Sequence, residues 1–308
     1  MIVPRRIQVT GRNTFIVSLP QGWIAKNDLK KGGQVYPVEQ SDGTLLLSVK
    51  ETSKGQKTVT IEVMGTHESS MRNVVSAYVG GAHTIILTGN GVSTVAEETR
   101  RILSGVEISD EDAGRIVLKV LSMEELDVDK LLNRAYKVTL NMFSLAGDLF
   151  GRGAVVHTEI ARKEDEVDRL HLVLLRSLSE GGVPSSEAVF RAMVAKSMEK
   201  VSDHLEDLCG SAGETRNPPI AALIGKASAA YSIAFLSFAG TKPDHDEFSR
   251  AKSAFQADLA AIDAKIAKEK NPAAALAMRS LSEKCVKIVR YAEDIMETAT
   301  DVFFVRMP

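Results

Sequence analysis

Up to about residue 121 short apolar runs that alternate with polar positions are mixed with a few short helical stretches; from Asp129 onward apolar residues recur at helical period and strand signals vanish. In the first part, Arg6-Ile7-Gln8-Val9-Thr10 and Thr14-Phe15-Ile16-Val17-Ser18-Leu19 flank the turn cluster Gly11-Arg12-Asn13, which predicts a hairpin. Pro20 opens a short helix through Lys26, and a second hairpin follows, Gln34 to Glu39 and Thr44 to Val49 around Ser41-Asp42-Gly43. Beyond it the pattern predicts a strand at Val59–Val63, a helix at Ser69–Tyr78, a strand at Thr84–Leu87 and a helix at Val92–Leu103. Strands at Val106–Ile108 and Arg115–Leu121 complete this region.

Six helices are predicted after that: Asp129–Phe150, Val155–Leu178, Ser185–Cys209, Pro219–Phe238, Asp244–Glu269 and Pro272–Phe304. Long helices on short connections become antiparallel neighbours, and the Asn217-Pro218-Pro219 break divides the six into three plus three. The expected architecture is multidomain: a small all-β module (1–57), a ferredoxin-like α+β unit (58–125) and a mostly α body of two tandem three-helix bundles (126–216 and 217–308).

Composition adds bounds rather than detail. With 308 residues, 44% hydrophobic and 25% charged, the chain reads as a globular protein of several domains. Two cysteines, Cys209 and Cys285, lie far apart in sequence, which suits neither a disulfide framework nor a zinc site and fits a reducing cytoplasm. Met1–Arg6 leads into an alternating pattern, unlike a signal peptide. No stretch reads as a membrane span; the nearest, Ala227–Ala239, is too short and carries three serines. The net charge of −2 hides an asymmetry: residues 1–57 hold nine Lys or Arg against four Asp or Glu. A basic module on an acidic body points to a local anionic partner.

Two pairs of acids stand out in the helical part. Glu164 and Asp168, then Glu199 and Asp203, are each four residues apart, so each pair shares one helix face. One such pair is usually a solvated face; two on consecutive helices can present four carboxylates to one hard cation. The pairs lie at the edges of apolar stripes made by Ile160, Val167, Leu174 and Leu178, and by Val194, Met198, Val201, Leu205 and Leu208. Glycines at Gly80-Gly81 and Gly89-Asn90-Gly91 complete no phosphate-binding fingerprint and read as turns. Asp168 with His171 is a single imperfect copy of the motif that di-iron bundles need twice, and neither cysteine has an identifiable catalytic partner. The chain is read as a non-enzyme.

Two resemblances sharpen this. Glu199-Lys200-Val201-Ser202-Asp203-His204-Leu205 resembles the Glu-Arg-Ile-Gly-Asp-His-Ala signature of PhoU-type phosphate-uptake regulators, whose acid-x-x-x-acid pairs bind metal. It implies a divalent or ferric ion held by Glu164, Asp168, Glu199 and Asp203 in the first bundle. The second bundle departs from the pattern: Val286 and Arg290 stand where acids belong, and Leu259 and Asp263 replace the other pair. There an Arg290–Asp263 ion pair is expected to replace a metal.

At the amino terminus, Gln8-Val9-Thr10-Gly11, Phe15 to Pro20, Trp23 and Leu29-Lys30-Lys31-Gly32 resemble, in order, the AbrB-like swapped-hairpin DNA-binding domain. That family interleaves two chains and turns basic residues of the first hairpin to DNA. The resemblance implies DNA contacts from Arg5, Arg6 and Arg12, with Lys26, Lys30 and Lys31 as further phosphate contacts. The combined expectation is a cytoplasmic homodimer or higher oligomer that binds DNA and regulates phosphate uptake. The alternative is an adaptor that only dimerises through this module and docks on a phosphate transporter or sensor protein.

Overall fold

The computed structural model describes residues 4–11, 13–39, 43–49, 57–121, 127–181, 183, 185–212, 216–240 and 242–307. The chain divides into two compact units, Met1–Gly55 and Gln56–Pro308.

In the first unit β1 (Gln8–Thr10) pairs antiparallel with β2 (Thr14–Ile16), and β3 (Tyr36–Glu39) with β4 (Leu45–Ser48). Between the hairpins lies α1 (Gln21–Lys26), closed at its end by Asn27, whose side-chain amide donates to the Trp23 carbonyl at 2.8 Å. Pro20 precedes the helix at φ −62°, an angle that its ring sets in advance. No described residue between 4 and 49 is buried.

The second unit opens with a four-stranded sheet, β5 (Thr58–Val63), β6 (Thr84–Gly89), β7 (Val106–Asp112) and β8 (Arg115–Val120), in the order β5-β6-β8-β7. β5 and β6 are parallel; β8 runs antiparallel to both β6 and β7, with a bulge between Ile108 and Asp110. Helices α2 (His67–Val79) and α3 (Val92–Ile102) follow the first two strands. This departs from the ferredoxin-like expectation, in which two strands lie between the two helices. Here α2 crosses over from β5 to the adjacent parallel β6, leaving no place for a strand between them. The last two strands form a hairpin that adds to the free edge of β6. Val74, Tyr78, Ile85, Leu87, Val95 and Leu118 fill the core of this layer.

Six helices make up the rest: α4 (Val128–Arg152), α5 (His157–Ser179), α6 (Ser185–Gly210), α7 (Pro218–Ala239), α8 (His245–Ile266) and α9 (Pro272–Val305). Side chains of Asp127, Asn217, Asp244 and Asn271 accept backbone N–H groups at four of the six starts. α4, α5 and α6 pack on one another, as do α7, α8 and α9, and the α4–α7 and α6–α9 seams join both trios around one hydrophobic core. Tyr136 stacks on Phe235 across the α4–α7 seam, 4.2 Å between ring centroids.

α7 corrects one expectation. The helix starts at Pro218, within one residue of the predicted Pro219, but the stretch judged too short to span, Ala227–Ala239, is only its second half: by length and composition the whole 22 residues are long and apolar enough to cross a membrane, with Lys226 the sole charge. Half of its apolar stretch is buried, with Leu223, Ile224, Tyr231 and Phe235 in the shared core.

α5 joins the helices to the sheet layer. Arg176, buried on its last turn, donates from Nη1 to the carbonyls of Tyr78 (2.7 Å) and Ala82 (2.8 Å), and pairs through Nη2 with Glu180 at 2.7 Å. Its guanidinium lies over the Tyr78 ring, 4.9 Å from the centroid. Ser179 Oγ donates to the Val79 carbonyl at 2.6 Å. These bonds satisfy carbonyls at and just beyond the end of α2.

Candidate metal centre

α5 and α6 hold the acidic pairs because each helix buries one stripe and leaves the adjoining positions at its edge. Ile160, Val167 and Leu174 are buried on α5; Val194, Met198, Val201, Leu205 and Leu208 are buried on α6. Glu164 and Asp168 flank the first stripe, Glu199 and Asp203 the second, and the packing of α5 on α6 brings the edges together.

Three of the four predicted acids meet. One ligand oxygen each from Glu164, Asp168 and Asp203 lies within 4.8 Å of the others. Asp168 Oδ1 is buried with no hydrogen-bond partner. Glu199 stands outside this group, its carboxylate held by Lys196 at 2.8 Å and Lys200 at 3.4 Å, and its side chain is 12% exposed. Lys200 also reaches Asp203 at 2.6 Å. Lys196 and Lys200 are the members of the site that the acid pairs alone do not announce, although each lies three residues before one of the acids, within reach on a helix.

The electrostatics follow from crowding. Burial pushes the Glu164 carboxyl up to about 8, with Asp168, Glu206, Asp203 and Asp165 adding to the effect in that order. Asp168 rises to about 6, first through burial and then through Glu199 and Asp203, while Lys196 and Lys200 oppose the rise. The ammonium groups therefore compensate the seam only in part. A buried acceptor without a donor, within reach of two further carboxylate oxygens, is the donor chemistry that hard cations take. Glu164, Asp168 and Asp203 fit such an ion; Lys200 would have to release Asp203 to it.

His171, one turn past Asp168, is buried and its imidazole is held below the usual range by burial, so it is neutral, but it is not part of the acidic group. In the second trio the expected Arg290–Asp263 pair does not form: Asp263 pairs with Arg279 at 3.6 Å, and Arg290 is exposed. Half-buried Val286 and Leu259 supply packing there.

Arg5, Arg6, Lys26, Lys30 and Lys31 are all exposed in the first unit: the arginines just before β1, Lys26 ending α1, the other lysines in the turn beyond it. Arg12 lies outside the described residues. Comparison with protein-family models, with curated proteins and with solved structures finds no match to this chain.

Proposed function

We propose that the chain is a dimeric DNA-binding regulator whose helical body responds to a hard metal ion, in the service of phosphate homeostasis. One observation carries the dimer. No described residue between 4 and 49 is buried, yet Ile7 (71%), Val9 (61%) and Phe15 (69%) are exposed apolar side chains on or beside its strands. A module of this size cannot offset its chain entropy without covering such residues, and a second copy offers the matching surface. The exposed Arg5, Arg6, Lys26, Lys30 and Lys31 then face outward in duplicate. They neutralise backbone phosphates, release counterions and so provide affinity for duplex DNA that does not depend on base identity.

In the body, Glu164, Asp168 and Asp203 would hold the ion. A divalent or ferric cation, when bound, supplies the positive charge that the seam lacks. To hold it, Asp168 would offer its unpartnered Oδ1, Glu164 would have to lose its proton, and Lys200, which contacts both Asp203 and Glu199, would have to leave Asp203. The role in phosphate uptake rests on the resemblance of Glu199–Leu205 to the PhoU-type signature and on the three-plus-three helical layout.

Charge reversal tests this reading. Arg5→Glu/Arg6→Glu should abolish retention of a labelled duplex while leaving the dimer intact by sedimentation. If DNA binding is absent in the wild type, or unchanged by the reversal, the module is a dimeriser and the adaptor reading replaces this one.

A further inference from the structure

Among the described residues, five buried side-chain nitrogen or oxygen atoms have no hydrogen-bond partner, and three of them share the seam of α5 and α6: Asp168 Oδ1, His171 Nδ1 and Glu199 Oε2. Glu199 Oε2 at least has the Lys196 ammonium 2.8 Å away as an ion-pair partner. His171 Nδ1 has neither a hydrogen bond nor an ion pair among the described residues, on a residue only 8% exposed. Buried polar atoms are paired with few exceptions, so this one calls for a ligand. Asp168 and His171 stand three residues apart on α5 and share one face, and from α6 the ring is faced by Glu199, Lys196, Lys200 and the Ala195 carbonyl. Burial above all, helped by Lys196 and Lys200 against Glu199, keeps the imidazole neutral, the form that binds metal. The Ala195 carbonyl draws the ring proton, and since Nδ1 makes no hydrogen bond, that proton belongs on Nε2. The Nδ1 lone pair is left free.

We infer that His171 Nδ1 is a ligand of the metal centre, and that the centre accordingly takes a first-row transition-metal ion in preference to Mg²⁺ or Ca²⁺. This rests on the metal-binding reading proposed above and narrows it. A carboxylate and an imidazole at i, i+3 on one helix is the spacing with which helical bundles bring oxygen and nitrogen ligands to one ion. His171 stands outside the group of three oxygens within 4.8 Å of one another, and Asp168 links the two: its carboxyl feels Glu199, beside the imidazole, as well as Asp203 and Glu164. A ring whose other nitrogen is turned to a backbone carbonyl is oriented as metal-binding histidines are. Oxygen ligands alone suit Mg²⁺ and Ca²⁺; an imidazole nitrogen adds affinity for transition-metal ions and little for those two.

The full chain, stripped of metal with a chelator, is loaded with Co²⁺ and read by proton NMR, in which a Co²⁺-bound imidazole gives a strongly shifted N–H signal that vanishes in D₂O. Such a signal is expected, lost in His171→Gln and retained in His204→Gln, whose ring lies instead against Tyr291 of α9, 5.6 Å between centroids. By calorimetry His171→Gln should weaken Co²⁺ binding by about tenfold or more and leave Mg²⁺ binding within about twofold. A variant too unstable to titrate leaves the wild-type spectrum to decide. Saturable Co²⁺ binding without the shifted signal, or an equal loss of both ions in His171→Gln, would overturn the inference and leave the acidic centre standing. No saturable site for either ion would overturn the centre itself, and the inference with it.

Discussion

Carboxylates that share a seam do not ionise independently. Glu164 and Asp168 have folded values raised to about 8 and about 6, above those of the unfolded chain. Between pH 4 and pH 8 these two groups therefore bind more protons in the folded chain than in the unfolded one, and their contribution to stability falls as pH rises, whereas His171 and His204, lowered from 6.5 by burial, act in the opposite sense below that value. From about pH 6.5 to pH 8, where the histidines no longer oppose it, the metal-free protein should melt at progressively lower temperature, followed by circular dichroism. Glu164→Gln should raise the melting temperature at pH 8 because it removes the repulsion. The same change should weaken Mn²⁺ binding, measured calorimetrically, by more than the roughly 10- to 100-fold that loss of an outer-shell partner costs. If Glu164→Gln binds Mn²⁺ as the wild type does, the three oxygens are a solvated cluster and nothing more.

α5 ties the seam at one end to the sheet layer at the other. Arg176→Ala would leave the Tyr78 and Ala82 carbonyls without their buried donor and Glu180 without its cation. The expected cost is about 3 kcal/mol in denaturant unfolding, and Arg176→Lys should recover only part, since one ammonium replaces a planar fork. The end of α9 is held differently. Arg306 pairs with Glu187 at 3.0 Å, and Glu187 also meets Arg191, which reaches Asp129 at 3.1 Å. The Arg306 hydrogen bond, followed by Arg191, holds the Glu187 carboxyl down at about 2. This stabilisation is present above the ordinary carboxylate value of 4.5 and is lost as pH falls through about 2. Amides of the last turns of α9 should lose hydrogen-exchange protection over that descent, and Glu187→Gln should show the loss already at pH 6. The helices themselves were readable in the sequence, because Asn217-Pro218, Asp244 and Asn271-Pro272 mark starts and the apolar period is long. α8 is the exception at its end: predicted to Glu269, it stops at Ile266, since residues 267–270 are exposed and bury no apolar side chain. Strand order was not readable, because it depends on which distant edge β8 meets. Nor was the docking role of Arg176, or the removal of Glu199 from the acidic group by two lysines on its own helix.

The two compact units make different demands on assembly. Residues 56–308 contain their own cores, whereas described residues 4–49 bury none. If the proposed dimer forms through this unit, Val9→Asp/Phe15→Asp should convert it to a monomer in sedimentation while leaving the helical circular dichroism signal unchanged. A variant that stays dimeric would place the interface elsewhere. Because the basic residues belong to the same unit, loss of the dimer should also lower DNA affinity, by removing half of the phosphate contacts. The measurement closest to the central claim is binding of the intact chain to duplex DNA from upstream of its own gene, and to a scrambled duplex, across a salt series. The account predicts a steep negative slope of affinity against salt, with the native fragment preferred. No binding at low salt, or a slope that Arg5→Glu/Arg6→Glu leaves unchanged, would contradict it.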